Sequence, residues 1–152
     1  MSLPSPEQAQ RSLREHVVAK ALDARALHPA GIDRAAMLSL LENRVVVRYP
    51  LGVRFDDEPL RPGEFACVEA LGGRPADGFV LYIHPMFENV DELIPLLVAY
   101  YIPGVNYGDV ATHVEAELYG STLLSLDREE YYRILCSVAD SVPARGAVGT
   151  RH

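Results

Sequence analysis

The chain has 152 residues, of which 49% are apolar and 23% are charged, and its formal net charge is −7. These proportions are typical of soluble globular proteins. Nothing in the chain resembles a stripe of Lys and Arg that could neutralise phosphates, so nucleic acid is disfavoured as a partner. The longest apolar run, 94–105, contains two prolines and is too short to span a bilayer. We therefore expect a soluble protein with neither nucleic acid nor membrane as a partner.

The two cysteines and the N-terminus predict a cytoplasmic location. Cys67 and Cys136 lie far apart and form no spacing typical of a metal site. The N-terminal residues show no apolar core of a secretory leader. The cysteines are therefore expected to be reduced thiols packed in a core.

Two helices are predicted before residue 45. Ser5 is placed to cap the first, with Pro6 at its first position and Gln8 completing a capping box. The residues from His28 to Gly31 should end this helix. Asp33 is placed to cap a second, shorter one.

Three strands are predicted next. Apolar residues occupy every odd position from Val45 to Phe55, which indicates a strand with one buried face. A second strand is expected at 65–71, after a loop rich in Pro and Gly. The third, 79–83, is apolar on both faces and should be the central or most covered strand.

The remaining residues favour helices. One should begin near Asn89 or Asp91 and run to Tyr100, although 96–102 also fits a fourth strand. A turn is expected at 102–104 and a helix at 109–124. Asp127 and Glu130 form a second capping box that opens a helix ending at 142. The segment 143–152 should be a disordered tail.

Together these elements predict an α+β fold made of a single domain, residues 1–142. The expected sheet is an antiparallel meander of three or four strands. The N-terminal and C-terminal helices are expected to pack on one of its faces.

An acidic segment without any internal cation is the most informative feature of the chain. No Lys or Arg occurs between Arg74 and Arg128, whereas eight carboxylates do. These carboxylates must be compensated by water, by a metal, by a basic partner or by arginines elsewhere in the fold. Arg48 and Arg54 would lie on the exposed face of the first strand, so basic and acidic surfaces could also meet between two copies of the chain.

Four residues of this segment form a candidate metal site. His113 and Glu117 are four residues apart on a predicted helix and should share one face. His84 follows the third strand directly, and Glu88 lies four residues later. Two imidazoles with carboxylates are a ligand set for a divalent transition metal. Such pairs are more common as ordinary surface residues, so His113 is expected to be partly exposed and metal-free. No other cofactor is predicted.

Tyrosines of the same segment form a candidate binding surface. An apolar ring with a polar tip suits interfaces and ligand pockets. The tyrosines proposed for this surface are Tyr100, Tyr101, Tyr107 and Tyr119.

Three functions are compatible with these patterns. The first is a non-catalytic accessory or interaction protein, a homodimer or the partner of a basic protein, that uses its acidic, tyrosine-rich second half. The second is a metal-binding protein or metal-dependent enzyme with the His/His/Glu set. The third is a ligand-binding domain with its pocket between the sheet and the region 100–119. No sequence motif for nucleophilic catalysis supports an enzyme directly, and the patterns leave the question of catalysis open.

Overall fold

The computed structural model describes residues 3–143, which form an α+β fold with a small mixed sheet. The helices of this part are α1 (Pro6–Ala26), α2 (Arg34–Leu41), α3 (Ile94–Tyr107), α4 (His113–Leu123) and α5 (Arg128–Ser141). The strands are β1 (Leu51–Phe55), β2 (Ala66–Ala70) and β3 (Phe79–Ile83). Short 3₁₀ turns lie at Pro75–Asp77, Pro85–Phe87 and Gly108–Val110. The predicted tail lies, apart from Pro143, outside the described residues.

The helix starts follow the predicted caps. Ser5 and Gln8 form the capping box of α1, and the Asp33 side chain accepts a hydrogen bond from the Ala36 amide at the start of α2. Asp127 likewise caps α5, where it accepts from the Glu129 amide. α4 begins later than predicted, because Thr112 caps it.

The sheet has the strand order β1-β3-β2, so the prediction that 79–83 is the central strand is confirmed. The predicted antiparallel meander is wrong. β3 is antiparallel to β2 but parallel to β1, with Leu51 opposite Phe79. A hairpin between β1 and β2 would need a short turn. The long loop at 56–65 instead lets β2 pair on the far side of β3.

The first predicted strand is too long, since residues 44–49 form turns. The Asn43 side chain accepts a hydrogen bond from the Val45 amide, and its carbonyl accepts from the Val46 and Val47 amides. These local bonds occupy the backbone groups that a strand ladder would need. Val47 is fully buried, as expected, but Val45 is 69% exposed.

Residues 94–107 form one helix, so the fourth strand considered for 96–102 and the turn predicted at 102–104 are both wrong. Pro95 lies in the first turn of α3, where proline is tolerated. Pro103 lies inside the helix. Burial of Ala99, Ile102 and Val105 around it outweighs the cost of an interior proline, which is about 3 kcal/mol.

α3 organises the packing of the molecule. It contacts β3, α2, α4 and α5, while α4 packs against α1 on one side and α5 on another. Helices therefore lie at both ends of the described chain, as predicted, and α1 and α5 have their principal contacts with other helices. Within residues 3–143, no helix is long and apolar enough to cross a membrane.

Candidate functional site

A cleft of about 680 Å³ lies where the C-terminal half of α3, the start of α4 and the sheet meet. Five aromatic rings contribute to its walls, together with small residues of α3 and α4. The aromatic lining residues are Tyr49, Phe79, Tyr100, Tyr101 and Tyr107, and the others include Val68, Gly104, Asn106, Asp109, Thr112, His113 and Ala116. Both its size and its mixture of rings with a few polar groups are those of small-molecule sites.

Because α3 continues through Pro103, the residues that this helix contributes to the cleft wall lie side by side. Tyr100, Gly104 and Tyr107 are spaced four and three residues apart, so they share one face of the helix. Gly108 then ends the helix with a φ of 65°, a conformation that favours glycine. A β-carbon added at Gly104 would have no atom within 4 Å, because this glycine faces open space.

Tyr107 is held between side chains of two other elements. The Arg48 guanidinium lies 5.2 Å from the centroid of its ring, a cation–π contact. The imidazole of His16, on α1, meets the same ring in an edge contact at 5.6 Å. Burial raises the pKa of Tyr107, and the charge of Arg48 opposes that rise. The phenol therefore stays neutral at physiological pH.

Asn106, a buried amide, ties the turn at 44–49 to α3. Its Oδ1 accepts a hydrogen bond from the Arg48 amide at 2.8 Å, and its Nδ2 donates to the Val46 carbonyl at 2.9 Å. Both ends of the amide are thus satisfied by backbone. This arrangement fixes the turn that places Arg48 over the Tyr107 ring, and Tyr49 of the same turn also lines the cleft.

Tyr101 is a structural part of the wall. Its hydroxyl donates to the Ala66 carbonyl of β2 at 3.1 Å, which links α3 to the sheet edge. Its ring makes edge contacts with Phe65 at 6.3 Å and with Tyr100 at 5.3 Å. Burial raises the pKa of both Tyr100 and Tyr101, so each remains protonated.

The start of α4 forms the polar rim of the cleft. The Glu115 carboxylate accepts bonds from the amide and hydroxyl of Thr112, at 2.7 and 2.9 Å, and from Arg14 of α1 at 3.0 Å. Burial alone would raise the pKa of Glu115, but the bonds from Thr112 and Arg14 outweigh burial and hold that pKa below its usual value. Glu115 therefore caps α4 and joins it to α1.

The cleft contains three of the four tyrosines proposed for the binding surface. Tyr119 is the exception, since it is buried inside the molecule. Its hydroxyl is the one buried side-chain N or O atom in residues 3–143 that has no hydrogen-bond partner. Burial, followed by the nearby Tyr107, raises its pKa.

The four residues of the candidate metal set do not form one site. His84 precedes a 3₁₀ turn, where its Nδ1 accepts from the Met86 amide at 3.2 Å and its Nε2 lies 3.9 Å from an Asp57 oxygen. Glu88 ends the same turn and is exposed. His113 is exposed at the start of α4, in the cleft. Glu117 is buried against Arg128, 3.1 Å away.

The packing explains this separation. α4 has its principal contacts with α1, α3 and α5, whereas β3, which His84 follows, has its principal contacts with β1, β2 and α3. Across residues 3–143, no three side chains of His, Cys, Asp or Glu come together in a way that could hold a metal ion.

Arginines from outside the acidic segment compensate half of its carboxylates. Two of them lie on α1 and α2, and two border the segment in sequence. The pairs are Arg14–Glu115 at 3.0 Å, Arg34–Asp91 at 2.8 Å, Arg128–Glu117 at 3.1 Å and Arg74–Asp77 at 3.4 Å. The exposed members contribute little stability each, but Glu115 and Glu117 are buried and depend on their partners.

Comparison with known proteins identifies no relative: no family model matches the chain, and no curated protein or solved structure is significantly similar to it.

Sequence reasoning missed three contributors to the cleft. Tyr49 and Phe79 were assigned only to strands, and Asn106 was not considered. The spacing of Tyr100, Gly104 and Tyr107 is the signal that could have found the helical wall, had the helix been continued through Pro103. The partner of Asn106 lies 60 residues earlier in the chain, so no local pattern reveals it.

Proposed function

We propose that this protein binds a small organic molecule in the cleft between α3, α4 and the sheet. The observation that carries the proposal is the convergence of five aromatic rings, three from α3, one from β3 and one from the turn at 44–49, around one space of about 680 Å³. Aromatic rings supply large apolar contact area at low entropic cost. The anchoring of Tyr101 by Ala66, and of Tyr107 by Arg48 and His16, favours a preformed site.

A wider groove of about 1000 Å³ between α2, α3 and the loop before α5 has less support as a ligand site. It is more open to solvent, and none of the described residues that line it is aromatic. Its principal polar groups, Arg34 and Asp91, already bind each other. A ligand there would have to compete with that ion pair.

One observation supports the interaction function that was expected from the sequence. The same groove exposes Leu38, which is 43% accessible, beside Leu96 and Leu126. An apolar surface of this kind is compatible with self-association. The electrostatic reason for self-association is weaker, since arginines of the same chain satisfy half of the acidic segment.

Phenol, a neutral probe with one ring, tests the proposed function. We expect a titration followed by ¹H–¹⁵N correlation NMR to shift the amides of Gly104, Val105, Gly108 and Ala111, which line the cleft. Phenol fits because it can stack on the rings and pair its hydroxyl with polar groups at the rim. Shifts confined to the groove around Leu38 and Leu126, or no saturable shift anywhere, would contradict the proposal.

A further inference from the structure

We infer that the ligand of this cleft carries a positive charge, and specifically that it is a small organic ammonium. This inference rests on the proposed function and adds the chemical class of the ligand. Its basis is the charge and the ring arrangement of the cleft.

The cleft walls carry acid and aromatic rings but no strong base. Asp109 is exposed at the rim, and neither Lys nor Arg is among the lining residues. Arg48 lies beside the cleft, but its guanidinium is already held over the Tyr107 ring and donates to the Asn106 carbonyl at 3.3 Å. An anionic ligand would have to draw Arg48 away from these contacts, whereas a cation can pair directly with Asp109 at the rim.

Four of the aromatic rings that line the cleft lie close together in two pairs. Tyr49 and Phe79 form a tilted pair on the sheet side, with centroids 6.2 Å apart. Tyr100 and Tyr101 form an edge-to-face pair on the helix side, at 5.3 Å. Rings arranged around one space in this way bind ammonium groups through cation–π attraction, which strengthens when the cation is desolvated.

Tyr107 has a different role. The Arg48 guanidinium already lies over its ring, so we assign the ligand cation to the other four rings. The existing contact demonstrates that a tyrosine of this wall accepts a cation.

Choline and 3,3-dimethylbutan-1-ol test the inference, since they share one shape and differ in charge. We expect choline to bind in an NMR titration at least about tenfold more tightly than its neutral isostere, as cation–π attraction requires. Asp109→Asn should weaken choline binding about threefold and leave the isostere unchanged. Asp140→Asn is the matched control, because it removes the same net charge from an exposed position of α5 outside the cleft.

The outcomes separate this inference from the proposed function. Equal binding of choline and its isostere at the cleft would overturn the preference for a cation and leave the proposed function standing. Binding of phenol without any binding of choline would likewise overturn the preference for a cation and leave the proposed function standing. Failure of all three probes would overturn both proposals. An equal loss of choline affinity in Asp109→Asn and Asp140→Asn would show a nonspecific effect of net charge and contradict the assignment to the cleft.

Discussion

At the scale of single residues, burial separates side chains that the sequence pattern treats alike. Val45 and Val47 occupy equivalent positions in the alternation, yet one is exposed and the other is fully buried. The difference arises because Asn43 and Asn106 hold this segment in turns through hydrogen bonds. An apolar residue at every second position indicates the buried face of a strand only where the backbone is extended.

Val47→Asp should prevent folding, because it places an unpaired carboxylate among apolar neighbours at a cost of more than about 4 kcal/mol. Val45→Asp is the matched control, and its effect should stay within about 0.5 kcal/mol. Chemical denaturation measures both. Cooperative unfolding of Val47→Asp near the wild-type midpoint would contradict the burial of Val47, and a large loss of stability in Val45→Asp would contradict the turn that exposes Val45.

Two buried tyrosines form a second matched pair. The Tyr131 hydroxyl donates to the Leu96 carbonyl at 2.6 Å, whereas the Tyr119 hydroxyl has no partner within residues 3–143. Tyr131→Phe should therefore cost about 0.5–1.5 kcal/mol of unfolding free energy, since it removes one hydrogen bond while the Leu96 carbonyl remains part of the α3 backbone ladder. Tyr119→Phe should be neutral or stabilise by up to about 1 kcal/mol, because it removes a buried polar atom that binds nothing. Destabilisation of both variants by the same amount would show that the Tyr119 hydroxyl has a partner in solution.

At the scale of elements, caps were more predictable from the sequence than packing. Ser5, Asp33 and Asp127 cap the helices assigned to them, because a cap depends on residues within one turn. The parallel pairing of β1 with β3 depends on the position to which a long loop brings the following strand. That information is not local, and the sequence alone favoured the simpler meander.

The two candidate sites differ in the same way, because the tyrosine set depends on one helix and the metal set depends on tertiary packing. Tyr100, Tyr101 and Tyr107 come together because one helix carries all three. His84 and His113 belong to elements whose relative position depends on the tertiary packing of α4. Their side chains could therefore not be placed from spacing alone.

Glu115 links α1 to α4, and its effect on stability should depend on pH. The pKa of Glu115 in the folded state lies below the ordinary glutamate value of about 4.5, so ionised Glu115 stabilises the fold above that value. The contribution is lost as pH falls from about 4.5 through the lower pKa of the folded state. Glu115→Gln should remove this component, so that the difference in unfolding free energy between wild type and variant is largest near neutral pH and shrinks in acid. Thermal or urea unfolding across this range measures it, and a constant difference at all pH values would contradict the assigned role.

At the scale of the whole molecule, the chain has a net charge of −7, and part of its acidic charge is paired with arginines of the same chain. Arginines of α1 and α2 bind carboxylates of α4 and of the loop before α3, so the acidic segment helps to hold the first and second halves together. Self-association through acidic and basic surfaces stays a prediction. The fold offers the cleft as the better supported site, because its walls are anchored from several elements at once.

The central claim is that the cleft binds a small molecule, and Gly104 permits the most direct measurement. Gly104→Phe adds an aromatic ring at the wall of the cleft, and its β-carbon would meet no side chain of the described residues within 4 Å. Gly104→Ala is the matched control, because it makes the same backbone change and adds only a methyl group. We expect phenol affinity, measured by NMR titration, to fall at least about tenfold in Gly104→Phe and to change less than about twofold in Gly104→Ala, with both variants folded. Undiminished phenol binding by a folded Gly104→Phe protein would contradict the account.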